Sequence, residues 1–260
     1  MSKVLFFDVD GTLVQNDKGV DKIPPAVIEK LNEIKEKGNH LFIATGRPYA
    51  FVNEYLTSLD FDGFVMANGS HVMVEGKSIF ENYLGQENVE EVVSYLDSHQ
   101  VEYILQDNKY GYLKAQFTNL WEFYQRCNIK EDHIISEFDK AVYHKIIKME
   151  ISLPAHLADE FIEMIDGKFN YDYNGTINAF EIYSKDITKA QGIEKTLAYY
   201  NLKISDSYAF GDGYNDIEMI KAVGCGVVMG NGVDELKQIA DYVTDDFMDD
   251  GLLKALNKFF

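Results

Sequence analysis

The sequence predicts an α/β fold, a parallel β-sheet core that is interrupted by a second domain of α+β type. Short, continuous apolar runs alternate with amphipathic helical patterns at both ends of the chain, whereas β-rich runs group around a hairpin signal in the middle. Such apolar runs are typical of strands buried on both faces, as in parallel sheets covered by helices. A chain of 260 residues with 46% hydrophobic residues is long enough to bury two cores.

The N-terminal part reads as a strand, a helix and two further strands. The helix is indicated by apolar residues at helical spacing, with proline near its start and glycine just past its end. Connections of this length require parallel pairing and a right-handed crossover. The predicted elements are strands at Val4–Phe7, His40–Thr45 and Phe64–Asn68 and a helix at Pro24–Lys37.

The middle of the chain has a different pattern, and we expect residues 82–185 to form the inserted domain. Asn174-Gly175 between two β-rich runs is the strongest hairpin signal in the sequence. Helical spacing and strand-like runs predict the other elements. These are helices around Val89–Leu96, Phe117–Cys127 and Ala155–Ile165 and a strand at Lys145–Leu153.

The last third resumes the parallel pattern, so residues 1–81 and 186–260 are expected to form one core domain. The predicted elements are helices at Lys189–Tyr200, Asp216–Ala222 and Val233–Ala240 and strands at Ser207–Asp212 and Gly226–Met229. The acidic run Asp245–Asp250 lacks the glycine spacing of a calcium loop and is expected to be a solvated face.

Charge and hydropathy exclude several classes of partner. The 43 acidic and 24 basic residues give a formal net charge of −19, which argues against nucleic acid and anionic membranes. The apolar runs are too short for a membrane span or a signal-peptide core, so we expect a cytoplasmic protein, and we predict no protein partner. Cys127 and Cys225 match no metal spacing and are expected to be packed free thiols.

The first strand ends on two aspartates, Asp8 and Asp10. Ligands of open parallel sheets bind beyond the carboxyl ends of the strands. Residues two apart in an extended segment point to the same side, so both carboxylates are expected to face one small site. Two such anions repel each other unless a proton or a cation intervenes, and a carboxylate beside Mg²⁺ can attack phosphorus. A helix cap followed by a glycine turn explains the pair equally well.

Three other sequence features lie at the end of a predicted strand or next to such an end. Thr45 and Gly46 offer a hydroxyl, a backbone N–H and room for close approach of a ligand. Lys189 opens the helix after the insert and could neutralise negative charge, although alone it is an ordinary surface lysine. The segment AFGDGYNDIEM follows an apolar strand and reads by itself as a solvated acidic turn. It supplies Asp212, Asn215 and Asp216.

Together the four pieces resemble the sequence motifs of the haloacid dehalogenase (HAD) superfamily of phosphotransferases. The matching segments are DVDGTL at Asp8–Leu13, TGR at Thr45–Arg47, Lys189, and GDGYND at Gly211–Asp216. The insert resembles the C2 cap of the Cof-like branch, of the C2B type. This resemblance implies a Rossmann-like core that carries out the chemistry and a cap that selects the substrate.

The resemblance also implies roles for individual residues. Asp8 would be the nucleophile that forms an aspartyl phosphate, and Asp10 the acid and base. The implied phosphate-binding residues are Thr45, Gly46, Lys189 and Asn215. Mg²⁺ would be held by Asp8, the backbone carbonyl of Asp10 and Asp212, with Asp216 supporting the metal waters or Lys189. Relatives commonly place glycine directly after the lysine of the third motif, whereas here Ala190 follows, which makes Lys185 a fallback candidate.

The function expected from this resemblance is Mg²⁺-dependent hydrolysis of small phosphorylated metabolites, with sugar phosphates first among them. Flavin, pyridoxal or nucleotide phosphates are alternative substrates. Phosphoryl transfer to a sugar, or a regulator that binds a phosphorylated metabolite without catalysis, is a further alternative. Because the insert leaves and rejoins the core near the motifs, we expect it to act as a mobile lid.

Overall fold

The structure is a computed structural model that describes residues 2–127 and 129–260. It divides into two compact units. The first unit consists of the residues up to Gly46 together with Glu54–Phe80 and Ile187–Phe260, and the second consists of Arg47–Asn53 and Glu81–Asp186.

Strands and helices are numbered here in chain order. The strands are β1 (Val4–Phe7), β2 (His40–Ala44), β3 (Gly63–Met66), β4 (His71–Val74), β5 (Lys77–Glu81), β6 (Tyr103–Gln106), β7 (Gly111–Tyr112), β8 (Ile134–Ile135), β9 (Lys148–Ser152), β10 (Phe169–Asn174), β11 (Ala179–Ser184), β12 (Ser207–Gly211), β13 (Cys225–Val228) and β14 (Tyr242–Val243). The helices are α1 (Pro25–Glu36), α2 (Glu54–Thr57), α3 (Gln86–Ser98), α4 (Thr118–Arg126), α5 (Ala158–Ile165), α6 (Lys189–Tyr200), α7 (Ile217–Ala222), α8 (Asp234–Lys237) and α9 (Gly251–Phe259).

The first unit is built on an eight-stranded sheet in the order β14-β13-β12-β1-β2-β3-β4-β5. The strands from β14 to β3 are parallel to their neighbours, and β4 runs antiparallel to β3. All four residues of β1 are fully buried, as the continuous apolar run predicted. The predicted α/β class with a parallel core sheet is therefore confirmed.

Parallel pairing brings the predicted motifs to one edge of this sheet. Phe7, the last residue of β1, pairs with Ile43 on β2 and with Phe210 on β12. The chain therefore leaves these three strands at the same end, just before Asp8, Thr45 and Asp212.

Helix α6 places its first residue, Lys189, close to this edge. Thr188 and Gln191 form a capping box, in which the backbone N–H of Thr188 donates to Gln191 Oε1 at 2.7 Å. A Cβ atom on Gly192 would lie 2.4 Å from Val65 Cγ1, so α6 packs more closely against the sheet than a side chain would allow.

The second unit contains a six-stranded sheet in the order β10-β11-β9-β6-β7-β8. Helices α3 and α5 bury their apolar faces, including Val89 and Phe161, in a cluster with Leu105, Met149 and Ile182 of the sheet. The other face, which carries Lys148, is largely polar and is described below.

Residues 47–53 pack with the second unit, although the sequence prediction assigned them to the core. The rings of Phe51 and Tyr124 pack at a tilt with centroids 5.1 Å apart, and His133 Nδ1 lies 2.7 Å from the carbonyl oxygen of Ala50. Both contacts join residues that are distant in sequence, so they could not be read from local pattern.

Several local predictions need correction. The hairpin at Asn174 exists, but Asn174 pairs with Ala179, so the loop has four residues, and the left-handed residue is Asn178. The prediction did not include strands β4 and β5 or the C-terminal helix α9, which buries Leu252 and Leu256.

Both cysteines are free, but Cys127 is exposed, so its predicted packing is wrong. No helix within the described part of the chain is long and apolar enough to cross a bilayer.

Candidate active site

Asp8 lies at the centre of the sheet edge and is buried. Its backbone N–H donates to the carbonyl oxygen of Phe210 at 2.9 Å, which extends the pairing of β1 with β12 by one residue. The side chain is therefore held on a continuous strand, and only 7% of the residue is exposed.

The Lys189 ammonium connects two of the predicted aspartates. Its Nζ donates to Asp8 Oδ1 at 2.5 Å and to Asp216 Oδ1 at 2.6 Å, and its side chain is fully buried. Burial works to lower the pKa of Lys189, but Asp216 and Asp8 outweigh it and the net shift is upward. Lys189 is thus a charged ammonium at the base of the site.

The loop after β12 folds around Asp216. Asp216 Oδ2 accepts hydrogen bonds from the backbone N–H groups of Asp212 at 2.9 Å and Gly213 at 3.0 Å. Asp212 in turn accepts at Oδ1 from Thr12 Oγ1 at 3.0 Å. Asp216 therefore fixes both Lys189 and the backbone that carries Asp212.

Three carboxylates converge with one ammonium. Asp8, Asp212 and Asp216 each offer an oxygen, and these oxygens lie within 4.8 Å of one another. Burial raises the pKa of Asp8 well above its ordinary range, repulsion from Asp216 adds to this, and Lys189 opposes it. Burial also raises the pKa of Asp212 to about 6, helped by repulsion from Asp216. An excess of buried negative charge formed by hard oxygen ligands fits a divalent cation such as Mg²⁺.

Asp10 is not one of the three clustered carboxylates, although repulsion from Asp10 contributes to the raised pKa of Asp212. The extended conformation ends after Asp8, because the carbonyl oxygen of Val9 accepts from the N–H groups of Leu13 and Val14. Asp10 is exposed on this turn, and its Oδ1 accepts from Asn16 Nδ2 at 2.9 Å. The period-two rule therefore does not apply beyond the end of the strand.

Two of the predicted phosphate-binding residues, Gly46 and Asn215, lie next to each other. A Cβ atom on Gly46 would lie 3.7 Å from Asn215 Nδ2, so the ATGR segment and the GDGYND loop are adjacent. The backbone N–H of Thr45 donates to the carbonyl oxygen of Val65 at 2.8 Å, so this N–H continues the sheet. The part of Thr45 suited to a ligand is therefore its hydroxyl.

Lys185 is the alternative candidate for the lysine of the third motif. It belongs to the second unit, where its ammonium donates to the carbonyl oxygen of Gly167 at 2.6 Å. Alanine at position 190 does not displace Lys189, because the helix start is set by its capping box.

Gly11 and Asn231 support the site and were given no role by the sequence. Gly11 has a φ of +97°, and a Cβ atom there would lie 2.0 Å from Asp212 Oδ2. Asn231 Nδ2 donates to the carbonyl oxygen of Gly11 at 2.9 Å, and its Oδ1 accepts from the N–H of Phe247. The Asn-Gly pair at Asn231 and Gly232, shortly after β13, was the available signal, but its contacts are distant in sequence.

Comparison with known proteins agrees with this geometry. The sequence profile described as haloacid dehalogenase-like hydrolase matches residues 5–256. The chain belongs to this family.

The relatives of this haloacid dehalogenase-like hydrolase include named phosphatases. YkrA of Bacillus subtilis is 31% identical, with 99% of this chain and 97% of that protein aligned. The 5-amino-6-(5-phospho-D-ribitylamino)uracil phosphatase YitU of the same organism is 28% identical, again with 99% of this chain and 97% of that protein aligned. The solved structure of the HAD subclass IIB sugar phosphatase BT4131 superposes with a TM-score of 0.84 and 29% identity, covering 99% of both chains. The protein is thus a phosphatase of the haloacid dehalogenase type.

We predict that MgCl₂ raises the melting temperature of the metal-free protein, by about 5 °C at saturating concentration and pH 8, and by clearly less at pH 5. A raised carboxyl pKa means that the folded state binds more protons than the unfolded state, so metal-free stability falls as pH rises through about 6 at Asp212. Mg²⁺ relieves that repulsion above pH 6, whereas protons compete with it below. Calorimetry at several pH values measures both trends.

Asp212→Asn should reduce the Mg²⁺ shift, and Asp234→Asn, which changes a carboxylate whose side chain is 91% exposed, should leave it intact. An equal shift from NaCl of the same ionic strength would show that no cation site exists there.

Proposed function

We propose that the protein hydrolyses phosphate monoesters of small metabolites, with Mg²⁺ and through an aspartyl phosphate on Asp8. The observation that carries this proposal is the contact of the buried Lys189 ammonium with Asp8, beside the carboxylates of Asp212 and Asp216. This contact fixes the orientation of the Asp8 carboxylate. The Lys189 ammonium also offsets part of the negative charge that a phosphate group brings to the site.

In the first half-reaction Asp8 attacks phosphorus, and the bond from phosphorus to the leaving-group oxygen breaks. Asp10 gives that oxygen a proton, a role that suits an exposed carboxyl group two residues from the nucleophile. In the second half-reaction Asp10 takes a proton from water, the water oxygen bonds to phosphorus, and the bond to Asp8 breaks. The products are inorganic phosphate and the free alcohol.

Mg²⁺ would be held by Asp8, Asp212 and the backbone carbonyl of Asp10, with Asp216 as a supporting carboxylate. When bound, it supplies positive charge that lets the anionic ester and the carboxylates share one site. Thr45, Gly46, Lys189 and Asn215 would hold the phosphoryl oxygens. The donor groups of these side chains are the Thr45 hydroxyl, the Lys189 ammonium and the Asn215 amide.

We further propose that the second unit selects the substrate. The face of its sheet opposite α3 and α5 carries a charged, hydrogen-bonded group. Lys148 is buried and forms ion pairs with Glu150 at 3.2 Å and Glu181 at 2.7 Å. Glu150 also contacts the Tyr124 hydroxyl, and Gln106 Nε2 lies 3.4 Å from that hydroxyl.

The charges of this face favour one class of substrate. Two carboxylates, Glu150 and Glu181, pair with one ammonium, and Asp172 lies near enough to Glu181 to raise its pKa by repulsion. Carboxylates accept hydrogen bonds from hydroxyl groups and repel a second phosphate. Monophosphates of neutral, hydroxyl-rich compounds are therefore favoured over bisphosphates, in line with the sugar phosphatase and ribityl phosphate phosphatase among the relatives.

The proposal predicts phosphate release from a panel of phosphorylated metabolites, and loss of this activity on removal of Mg²⁺. The panel should contain hexose, pentose and ribityl monophosphates, flavin, pyridoxal and nucleotide phosphates, and a hexose bisphosphate. Hydroxyl-rich monophosphates should have the largest kcat/KM. Full activity after exhaustive chelation would contradict metal dependence, and binding without turnover of any ester would favour a regulatory protein.

Substitutions of Asp8 and of Asp10 should impair different steps of the reaction. Asp8→Asn should abolish formation of the acid-stable label that a radiolabelled ester leaves on the wild-type protein. Asp10→Asn should slow turnover by about 10²–10⁴-fold, because it removes the general acid and base but not the nucleophile. Quenched-flow trapping and peptide mapping of the label measure both.

Asp17→Asn is the matched control for these variants, because Asp17 lies in the same segment with 64% of its side chain exposed. It should leave labelling and turnover within about twofold of wild type. If Asp8→Asn is still labelled on an aspartate, another residue is the nucleophile.

Substrate selection should depend on the sheet face of the second unit that carries Lys148, Glu150 and Glu181. Glu150→Gln and Glu181→Gln should lower kcat/KM for a hexose monophosphate by about tenfold, the effect of one hydrogen bond to a charged group, and change that for p-nitrophenyl phosphate by less than about twofold. Glu163→Gln, an exposed change on α5 of the same unit, should alter neither value. Equal losses on both substrates would mean that this face does not select the substrate.

A further inference from the structure

The turn after β3 has a strained backbone. Ala67 and Asn68 have φ values of 48° and 53°, and Gly69 follows with a φ of 97°. Glycine adopts such angles freely, but the left-handed region costs roughly 1–2 kcal/mol for a residue with a Cβ atom, less for asparagine. Two such residues in succession, one of them alanine, mark a conformation that the surrounding structure imposes.

Contacts on both sides of the turn hold this conformation. The backbone N–H of Asn68 donates to the carbonyl oxygen of Thr45 at 3.2 Å. A Cβ atom on Gly69 would lie 2.1 Å from the carbonyl oxygen of Thr188, the residue before Lys189. The turn is therefore packed between the ATGR segment and the start of α6.

This conformation directs the Asn68 side chain toward the phosphate-binding residues. A Cβ atom on Gly46 would lie 3.0 Å from Asn68 Oδ1 and 3.7 Å from Asn215 Nδ2, so the two amides meet beside Gly46. Only 5% of Asn68 is exposed, and its Oδ1 has no hydrogen-bond partner among the described residues. A buried amide oxygen without a partner is unfavourable, which indicates that the Asn68 amide is placed for a ligand and not for a contact within the protein.

The usual explanation for a left-handed asparagine does not apply here. Asparagine tolerates this region because its short side chain can hydrogen-bond to nearby backbone. Asn68 Oδ1 makes no such bond. The backbone preference of asparagine therefore accounts for its φ but not for the placement of its amide.

We propose that Asn68 is a further phosphate-binding residue, whose amide binds an oxygen of the transferred phosphoryl group beside Gly46 and Asn215. This inference rests on the proposed function. A phosphoryl oxygen accepts hydrogen bonds, so Asn68 presents Nδ2 to it. Rotation of the amide by 180° exchanges Oδ1 and Nδ2, and no bond of Oδ1 is lost in that rotation.

The test compares Asn68→Gly and Asn68→Asp with the same two changes at Asn201. Asn68→Gly keeps the left-handed backbone accessible and removes the amide, whereas Asn68→Asp keeps the shape and replaces the donor by a negative charge. Asn201 is the matched control because it caps α6 at φ 53° and its side chain is exposed. The measurements are the inhibition constants of inorganic phosphate and orthovanadate, KM and kcat for p-nitrophenyl phosphate, and the melting temperature.

Asn68→Gly should raise the inhibition constant of both oxyanions by about tenfold, as expected for one hydrogen bond to a charged group. Asn68→Asp should raise it further, to about 100-fold, because the carboxylate repels the anion. Both Asn201 variants should remain within about twofold of wild type. A purely structural role would lower the melting temperature and leave oxyanion binding by the folded protein unchanged.

Unchanged oxyanion inhibition in Asn68→Gly would overturn the inference and leave the proposed function standing. If Asn68→Gly does not fold, the comparison of Asn68→Asp with Asn201→Asp decides in the same way. A wild-type protein that neither hydrolyses p-nitrophenyl phosphate nor binds orthovanadate would overturn the proposed function itself, and this inference with it.

Discussion

The ion pair network of Lys189 is the interaction on which the rest of the candidate site depends. A fully buried ammonium is acceptable only with anionic partners, and Asp8 and Asp216 supply them. Removing one partner of a buried pair typically costs 3–5 kcal/mol, since it leaves an uncompensated charge. Asp216 also accepts from two backbone N–H groups of the loop that carries Asp212. One lysine thus ties the strand end, the loop after β12 and the start of α6 to a single geometry.

This network also explains how a very acidic protein can serve an anionic substrate. The net charge of −19 repels a phosphate ester at long range, but at physiological ionic strength the Debye length is about 8 Å. Attraction therefore has to arise inside the site. Lys189 is already neutralised by its partners, and burial, followed by repulsion from Asp216, raises the pKa of Asp8 and of Asp212. Three carboxylates face one ammonium here, so a divalent cation bound by them would offset the excess negative charge.

Much of this arrangement could be predicted from the sequence, because it follows from the ends of buried strands. Asp8 and Asp212 each follow an apolar strand, and parallel pairing places such residues at one edge. Asp10 shows where local rules fail, since the chain turns directly after Asp8 and alternation no longer applies. Asn68 was predicted as the last residue of the strand Phe64–Asn68. Its position beside Gly46 depends on contacts with Thr45 and Thr188, which no local pattern encodes.

The interactions that destabilise the first unit are concentrated at the edge of the sheet that carries Asp8. Asp8, Asp212 and Asp216 repel one another, Lys189 is desolvated, and Ala67 and Asn68 are held in left-handed conformations. The sheet behind them is regular, and all four residues of β1 are fully buried. A scaffold of this kind can hold strained and repelling groups in place because the interactions that stabilise it lie elsewhere. A cation at this edge would relieve the repulsion among the three carboxylates, so part of what this repulsion costs in stability favours cation binding.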